Sequence, residues 1–428
     1  MELFWTIVFG LLFFGLLMAS VALHEVGHLL PAKLFGVRVP QYFVGFGRTL
    51  WSIRRGETEY GVKLFPLGGF VRLLGMYPPT RPGARQTWLQ RFADDARGYE
   101  WDEVRPGDVE GNRLFYQKKT YQKLIIMAGG ITVNLILAFL LFWGVTGLHG
   151  TWREQPVVRS IQQCVITEQR EDMACRPSDP LTPAAQAGLT EGDRILSFNG
   201  APIAEYADLT ELIRANLDRP ATLVVERGGQ QVTLPTVNTR VTGVRDTLDP
   251  SRVIPAGWLG VVPVMEKEYG GPVDVLQDMG QMAAQSVVAL AQFPVKVFHV
   301  IADMVTGQPR DVYSPISIFG ASSLAGQAAV QEAPIADRAA MFASLLGSIN
   351  LFLALFNLVP LPPLDGGHIL GALWEWVRRT AARLAGRPDP GPVDTAKMVP
   401  VAYAVGGFLL LCGIALIVAD IVSPVKIF

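Results

Sequence analysis

The sequence predicts a multi-pass α-helical membrane protein with four transmembrane helices, a cytoplasmic-side membrane-associated β element and an extracytoplasmic α+β domain. Three observations lead to this fold class. Half of the 428 residues are hydrophobic and the mean hydropathy is +0.29, which is too apolar for a single soluble domain. Four apolar runs are long enough to cross a bilayer. A long region of mixed composition separates the second run from the third.

The apolar runs divide the chain into segments with the following expected boundaries. The transmembrane helices are residues 1–30, 124–148, 341–366 and 398–420. Between them lie a β element with a loop (31–123), the α+β domain (149–245), amphipathic helices on the membrane surface (246–340) and a second loop (367–397). The surface placement is expected because Lys296 and Asp303 interrupt an apolar pattern of helical spacing. The first run has no basic start and is longer than a signal-peptide core, so we expect it to be retained.

The distribution of basic residues predicts the orientation. With four spans, residues 31–123 and 367–397 lie on the same side of the membrane, and both carry Lys and Arg near the span ends. These basic residues are Lys33, Arg38, Lys118, Lys119, Lys123, Arg378, Arg379 and Lys397. Because basic residues are enriched in cytoplasmic loops, that side is predicted to be cytoplasmic. The α+β domain and both termini are then extracytoplasmic.

Charge and cysteine content narrow the function less than hydropathy does. The formal net charge is −1, so nucleic acid is not an expected partner. Cys412 lies in an apolar run and is expected to be inert. Cys164 and Cys175 are close in sequence in the predicted extracytoplasmic region, where a disulfide and two free thiols are equal alternatives.

A metal-binding pattern occupies the end of the first span, where residues 24–28 read His-Glu-Val-Gly-His. On a helix, side chains four residues apart share a face, so His24 and His28 can bind one metal ion. Zinc accepts imidazole and carboxylate ligands, and Glu25 can take a proton from water that the metal activates. So short a pattern recurs by chance. Its position on a membrane-spanning helix nevertheless predicts hydrolysis at or within the membrane.

Asp365 is the predicted third ligand. The first and third spans cross the membrane in the same direction, and they end at His28 and Asp365. Both ends therefore reach a similar depth near the cytoplasmic face. An Asp that only caps the span in water is the alternative, but ionisable groups in membrane spans are costly and usually functional. Pro360, Pro362 and Pro363 cannot continue a regular helix, so the third span should be broken before Asp365.

Two motifs point to a known family. Residues 357–368 read NLVPLPPLDGGH, and residues 24–47 run from His-Glu-Val-Gly-His to Gly-Phe-Gly. They resemble the N-x-x-P-x-P-x-L-D-G motif and the stretch from H-E-x-G-H to G-F-G of the site-2 protease family, specifically the bacterial intramembrane zinc metalloproteases that cleave anti-sigma factors. The motifs occur in the expected order on spans of the expected direction, and the resemblance covers nearly the full length.

The resemblance implies roles for individual residues. His24, His28 and Asp365 match the family's zinc ligands, and Glu25 matches its catalytic base. Asn357 matches a carboxamide that hydrogen-bonds an extended substrate in the family. Hydrogen bonding between helices is an equal alternative for an Asn in a span.

The segment after the first span is predicted to form strands. Residues 58–65 partly alternate between polar and apolar, Gly68 and Gly69 offer a turn, and residues 70–73 form a further strand. In the family this stretch corresponds to a membrane-reentrant β element beside the active site. Its edge could pair with an unwound substrate, so Gly68 and Gly69 are candidate substrate-binding residues. A small structural hairpin is an equal alternative.

Residues 178–240 resemble one PDZ domain of the kind found in bacterial envelope proteases. The fingerprint is PAAQAGLTEGDRILSFNG at residues 183–200, followed by a predicted helix (207–216) and strand (221–227). A PDZ groove can capture a chain end by strand addition. In this family the domain is more often described as a filter that excludes substrates with bulky ectodomains, and we favour the filter.

Together these features predict an intramembrane zinc (Zn2+) metalloendopeptidase of a bacterial inner membrane. The expected partners are the lipid bilayer and single-span membrane proteins, such as pre-cleaved anti-sigma factors, with remnant signal peptides as a second class. The sequence leaves the oligomeric state open. The alternative is a non-catalytic PDZ-containing membrane adaptor with structural zinc, although a structural site has no need of a base such as Glu25.

Overall fold

The computed structural model describes residues 2–80, 87–166, 174–246, 249, 252–308 and 310–425. The chain forms two compact units. The first unit comprises Met1–Val145 and Pro272–Phe428, and the second comprises Thr146–Gly271.

The helices in chain order are α1 (Glu2–Leu34), α2 (Trp88–Trp101), α3 (Pro106–Glu110), α4 (Thr120–Gly144), α5 (Pro183–Gln186), α6 (Tyr206–Asn216), α7 (Pro272–Thr306), α8 (Ile318–Ala329), α9 (Ile335–Asn357), α10 (Asp365–Leu384) and α11 (Val399–Val422). The strands are β1 (Gln41–Arg55), β2 (Thr58–Arg72), β3 (Thr151–Ile161), β4 (Arg194–Phe198), β5 (Ala201–Pro202), β6 (Pro220–Ala221), β7 (Leu223–Arg227), β8 (Gln230–Thr233), β9 (Val237–Asn238), β10 (Arg240–Arg245), β11 (Val253–Trp258) and β12 (Val261–Glu268).

The described residues include five helices that are long and apolar enough to cross a membrane. These candidate spans are Glu2–Leu34, Thr120–His149, Pro272–Thr306, Ile335–Asn357 and Thr395–Val422. Four correspond to the predicted runs, and the fifth is α7, which the sequence places on the membrane surface. Near its start, Val275 and Met279 pack on α4 and α9. Near its end, Val297 and Val300 pack on α11, so both ends of α7 belong to the helix bundle.

Helices α1 and α4 cross at a pair of glycines. A methyl group on Gly129 would lie 1.9 Å from the carbonyl oxygen of Gly27, so only glycine permits this approach. Leu29 of α1 packs with Ile126 of α4, whereas residues earlier in α1 pack with later residues of α4, including Leu141. The two helices are therefore antiparallel. Small residues that let helix backbones touch are typical of packing inside membranes.

The chain breaks between α9 and α10, as the prolines predict. Helix α9 ends at Asn357, and α10 begins at Asp365. The sequence assigned residues 341–366 to one span, but Asp365 is the first residue of a new helix and not the last residue of the old one. A methyl group on Gly366 would lie 2.3 Å from the carbonyl oxygens of Leu358 and Val359. The absence of a side chain at Gly366 therefore permits the chain to turn back tightly against Leu358 and Val359.

Strands β1 and β2 form a bent sheet in the first unit. Residues 41–44 of β1 pair with residues 59–62 of β2 and also with residues 69–72, so the end of β2 forms an outer rung. The expected turn at Gly68–Gly69 is wrong, because β2 continues through both residues. A φ of 146° at Gly68 lets the strand bend there instead of reversing.

The second unit is an α+β domain. Its main sheet has the order β12-β3-β4-β7-β8, with β5 paired to β4. The unit extends past the expected boundary at residue 245 because β12 pairs along β3. Residues from β4, β7 and α6 share one hydrophobic core, including Ile195, Phe198, Leu209 and Val225. Cys164 and Cys175 form a disulfide.

A buried carboxylate ties two parts of this domain together. Arg227 at the end of β7 donates to Asp193 from Nε at 2.8 Å and from Nη2 at 2.7 Å. The Thr190 backbone N–H also donates to Asp193, at 2.8 Å. Burial raises the pKa of the Asp193 carboxyl, but the hydrogen bonds from Arg227 and Thr190 outweigh burial and hold this pKa below its usual range.

Candidate metal centre

Three side chains from two distant parts of the chain converge in the first unit. The Nε2 atoms of His24 and His28 lie 3.2 Å apart, and each lies 3.3 Å from Asp365 Oδ2. Both histidines are buried, at 7% and 6% exposure. Among the described residues, these three form the one group of His, Cys, Asp or Glu side chains with metal-binding spacing.

The spacing of these three atoms fits a tetrahedral zinc ion. Zinc bonds of about 2.0 Å place neighbouring tetrahedral donors about 3.3 Å apart, which matches the observed 3.2–3.3 Å. Asp365 Oδ2 is buried and accepts no hydrogen bond within the described ranges. A buried carboxylate oxygen that faces only two imidazole nitrogens is a natural metal ligand. Two imidazoles and one carboxylate are a common donor set at catalytic zinc sites.

Helix geometry brings the two histidines to one point. His24 and His28 are four residues apart in α1, so their side chains lie one above the other on one face. His28 Nδ1 lies 2.8 Å from the backbone carbonyl oxygen of Ile126 in α4. A carbonyl only accepts, so Nδ1 carries the proton and Nε2 presents its lone pair. A partner of this kind fixes both the tautomer and the orientation of a metal-binding His.

Gly130 of α4 provides the space around the two imidazoles. A methyl group at this position would lie 2.4 Å from His28 Nε2 and 2.6 Å from His24 Nε2. Any residue other than glycine would therefore occupy the place where the donor atoms converge. Sequence reasoning missed Gly130, although two adjacent glycines in an apolar run are a signal of close helix contact.

The predicted catalytic base and substrate residues lie at different places. Glu25 is half-buried and faces β2, since a methyl group on Gly69 would lie 3.0 Å from Glu25 Cγ. Gly68 lies against Phe46, and its methyl group would approach that ring to 2.8 Å. Asn357 is the last residue of α9. The structure thus brings Gly69 to Glu25, whereas Gly68 lies at a bend of β2 and Asn357 at the end of α9.

The profile of peptidase family M50 matches residues 12–387, a segment that contains every residue of the convergent site. This chain belongs to peptidase family M50. It is 32% identical to zinc metalloprotease Rip1 of Mycobacterium tuberculosis, over 98% of this chain and 99% of the relative. It is 25% identical to zinc metalloprotease RasP of Geobacillus kaustophilus, over 94% of each chain. The family match confirms the site-2 protease resemblance and shows that the chain is a peptidase.

In this M50 peptidase, a buried ion pair anchors α10, the helix that begins at Asp365, to α4. Lys123 of α4 donates to both carboxylate oxygens of Glu375 at 3.0 Å, and both side chains are buried. The Val393 N–H donates to Glu375 at 3.2 Å, and Arg379 lies 3.3 Å from the same carboxylate. This ion pair fixes α10 against α4, the helix that also contacts His28. The sequence does not reveal the pair because its two members lie far apart in the chain.

Proposed function

We propose that this M50 peptidase is an intramembrane zinc endopeptidase that cleaves the transmembrane segments of single-span membrane proteins. One observation carries the proposal: His24, His28 and Asp365 place three donor atoms at tetrahedral spacing, with Glu25 beside them. The histidines belong to a helix that is long and apolar enough to cross a bilayer. A peptide bond that reaches these histidines inside the bilayer would belong to a membrane-spanning segment of the substrate.

The proposed mechanism assigns one role to each of these side chains. His24, His28 and Asp365 would hold a zinc ion, which when bound would act as a Lewis acid that acidifies water and polarises a peptide carbonyl. Glu25 accepts a proton from the attacking water at its carboxylate. Glu25 then returns this proton to the nitrogen of the leaving amine, so the peptide bond is replaced by a carboxylic acid and an amine.

A helical substrate must unwind before its peptide bonds can be attacked, because a helix hides them. Residues 69–72 of β2 pair with residues 41–44 on one side, and Gly69 of this rung lies next to Glu25. We propose that an extended substrate adds to the other side of this rung by strand addition. The bend at Gly68 orients residues 69–72 toward the substrate. The Asn357 carboxamide hydrogen-bonds the substrate backbone.

The location we propose is a bacterial inner membrane, with the second unit and both termini outside the cytoplasm. The disulfide between Cys164 and Cys175 supports this orientation, because disulfides persist in oxidising compartments. The exposed apolar side chains of the β1–β2 sheet, including Leu50, Trp51 and Phe65, support contact of this sheet with lipid. The metal centre then lies near the cytoplasmic face, where water can enter.

We further propose that the second unit is a PDZ domain that acts as a size filter. Its sheet flanked by α6 and its single hydrophobic core support this assignment. A filter admits membrane proteins that another protease has already shortened on the outside. Pre-cleaved anti-sigma factors and remnant signal peptides have this form.

The test compares cells that carry wild-type protein with cells that carry Glu25→Gln, and Glu2→Gln serves as a control for the same change elsewhere on α1. Mass spectrometry of membrane peptides should find single-span fragments that accumulate only with Glu25→Gln. The purified Glu25→Gln protein should still hold zinc. Unchanged peptides with Glu25→Gln would refute the base assignment, and accumulation of soluble proteins alone would refute the substrate class.

A further inference from the structure

The two histidines of the metal centre differ in what holds their second ring nitrogen. His28 Nδ1 donates to the carbonyl oxygen of Ile126 at 2.8 Å. His24 Nδ1 is buried and makes no hydrogen bond within the described part of the chain. A metal-binding His almost always donates this N–H to an acceptor that sets its orientation. His24 therefore needs an acceptor near Nδ1.

Helix α4 offers one candidate on the correct face. Ile126, Gly130 and Asn134 are spaced four residues apart and share one face of α4. Gly130 lies at the centre of this face, where a methyl group would be 2.4 Å from His28 Nε2 and 2.6 Å from His24 Cε1. Since α1 and α4 are antiparallel, the His24 end of the site lies toward Asn134 and the His28 end toward Ile126.

The direction of the Asn134 side chain supports this placement. A helical side chain leans toward the N-terminus of its helix and covers the preceding turn. For Asn134 the preceding turn is that of Gly130, which has no side chain of its own. Asn134 is 1% exposed, and its Oδ1 accepts no hydrogen bond among the described residues. A buried acceptor and a buried donor without partners thus lie at the same end of the site.

We propose that Asn134 is a positioning residue for the metal centre. Its Oδ1 accepts a hydrogen bond from His24 Nδ1–H, either directly after a small side-chain rotation or through one water molecule. The contact keeps the proton on Nδ1 and directs the Nε2 lone pair of His24 toward the metal. Asn134 is then the hydrogen-bond acceptor for His24 Nδ1, as the Ile126 carbonyl is for His28 Nδ1.

The chain contains a matched carboxamide for comparison. Asn350 of α9 is also fully buried, and its Oδ1 also accepts no hydrogen bond from any residue that the structure describes. Its Nδ2, however, donates to Ser20 Oγ at 3.2 Å and to the Leu346 carbonyl at 2.9 Å. These contacts explain Asn350 as a link between α1 and α9. If buried carboxamides mattered only for packing, substitutions at Asn350 and Asn134 would have the same effect on zinc.

The test measures zinc affinity and not proteolysis. The full-length protein, purified in detergent micelles, is equilibrated with zinc at a series of buffered free concentrations, and bound zinc is counted by mass spectrometry. Asn134→Leu keeps the number and branching of the side-chain heavy atoms but removes the acceptor, so we expect zinc affinity to fall about 10–100-fold. Asn134→Asp keeps an oxygen acceptor at this place and should bind zinc at least as tightly as wild type. Asn350→Leu should stay within about threefold, which lies below the second-sphere effect.

The outcomes separate this inference from the proposed function on which it rests. His24→Ala should lose zinc, and retention by that variant would refute the proposed ligand set itself. If His24→Ala loses zinc but Asn134→Leu binds it like wild type, the role of Asn134 is refuted alone. Equal losses in Asn134→Leu and Asn350→Leu would also refute it. If Asn134→Leu does not fold, Asn134→Asp decides, because weakened zinc binding in that variant contradicts the acceptor role.

Discussion

Substitution of Gly130 by Ala tests the metal centre most directly, because it adds a single methyl group. That methyl group would lie 2.4 Å from His28 Nε2 and 2.6 Å from His24 Nε2. Ordinary contacts between nonbonded heavy atoms are about 3.5 Å, so the overlap with each nitrogen is about 1 Å. A retreat of α4 from α1 would break the close contact between Gly129 and Gly27. We therefore expect the imidazoles to move.

A movement of this size is decisive for a metal site. Zinc–ligand distances vary by only about 0.2 Å, so a displacement of about 1 Å removes at least one ligand. We expect Gly130→Ala to lower zinc affinity at least about 100-fold, which corresponds to about 2.8 kcal/mol. Proteolytic activity should fall by at least the same factor at limiting zinc.

The assay measures bound zinc against buffered free zinc, together with cleavage of a membrane substrate. Gly15→Ala is the matched control, because a methyl group there meets nothing within 4 Å. Gly15→Ala should leave zinc binding unchanged, and it should stabilise α1 by up to about 1 kcal/mol, since Ala favours helix more than Gly does. Wild-type zinc affinity in Gly130→Ala would show that the imidazoles do not converge where α4 passes them.

Three further predictions concern the supporting structure. Glu375→Ala leaves Lys123 buried without its partner and should lower the free energy of unfolding by about 3–5 kcal/mol, measured by thermal unfolding in detergent. Cys164→Ser removes the disulfide and should destabilise the second unit by about 3 kcal/mol, measured by hydrogen exchange in β3. The Asp193 pKa is held low by Arg227, so its stabilising effect is complete above about pH 4 and is lost as the pH falls through the lowered pKa. Asp193→Asn should therefore reduce hydrogen-exchange protection in β4 at pH 7, and its difference from wild type should shrink at lower pH.

Each of these predictions has its own control or contrary result. For the buried pair, the control is Glu103→Ala, which breaks a partly exposed contact with Arg72 and should cost less than about 1 kcal/mol. Equal losses in the two variants would contradict the importance of burial. Unchanged exchange in β3 after reduction would contradict the disulfide prediction. A constant difference between Asp193→Asn and wild type down to the lowest pH would contradict the assigned pKa shift.

The sequence predicts that His24, His28 and Asp365 lie close together, and the structure shows this, because each of the signals involved is local. His24 and His28 are one turn apart on an apolar run, and helical periodicity alone brings them together. The three prolines before Asp365 predict a break, and α9 does end before it. The exact place of the break depends on Gly366, whose closeness to the backbone at Leu358 cannot be read from the pattern.

The features that the sequence does not predict depend on non-local contacts. Gly130 becomes meaningful only when the register of α4 against α1 is known. The strand pairing of β12 with β3 joins segments separated by about one domain length, so the sequence ends the domain too early. The turn predicted at Gly68–Gly69 fails because a glycine pair permits a bend in a continuing strand as readily as a reversal.

The order of His24, His28 and Asp365 along the chain has a consequence for biosynthesis. A ribosome completes both imidazoles near the start of translation, but the carboxylate of Asp365 follows only after α9 has been made. The early helices therefore form before the three side chains can converge. The three side chains can therefore converge only once about six-sevenths of the chain has been made, because Asp365 lies at position 365 of 428.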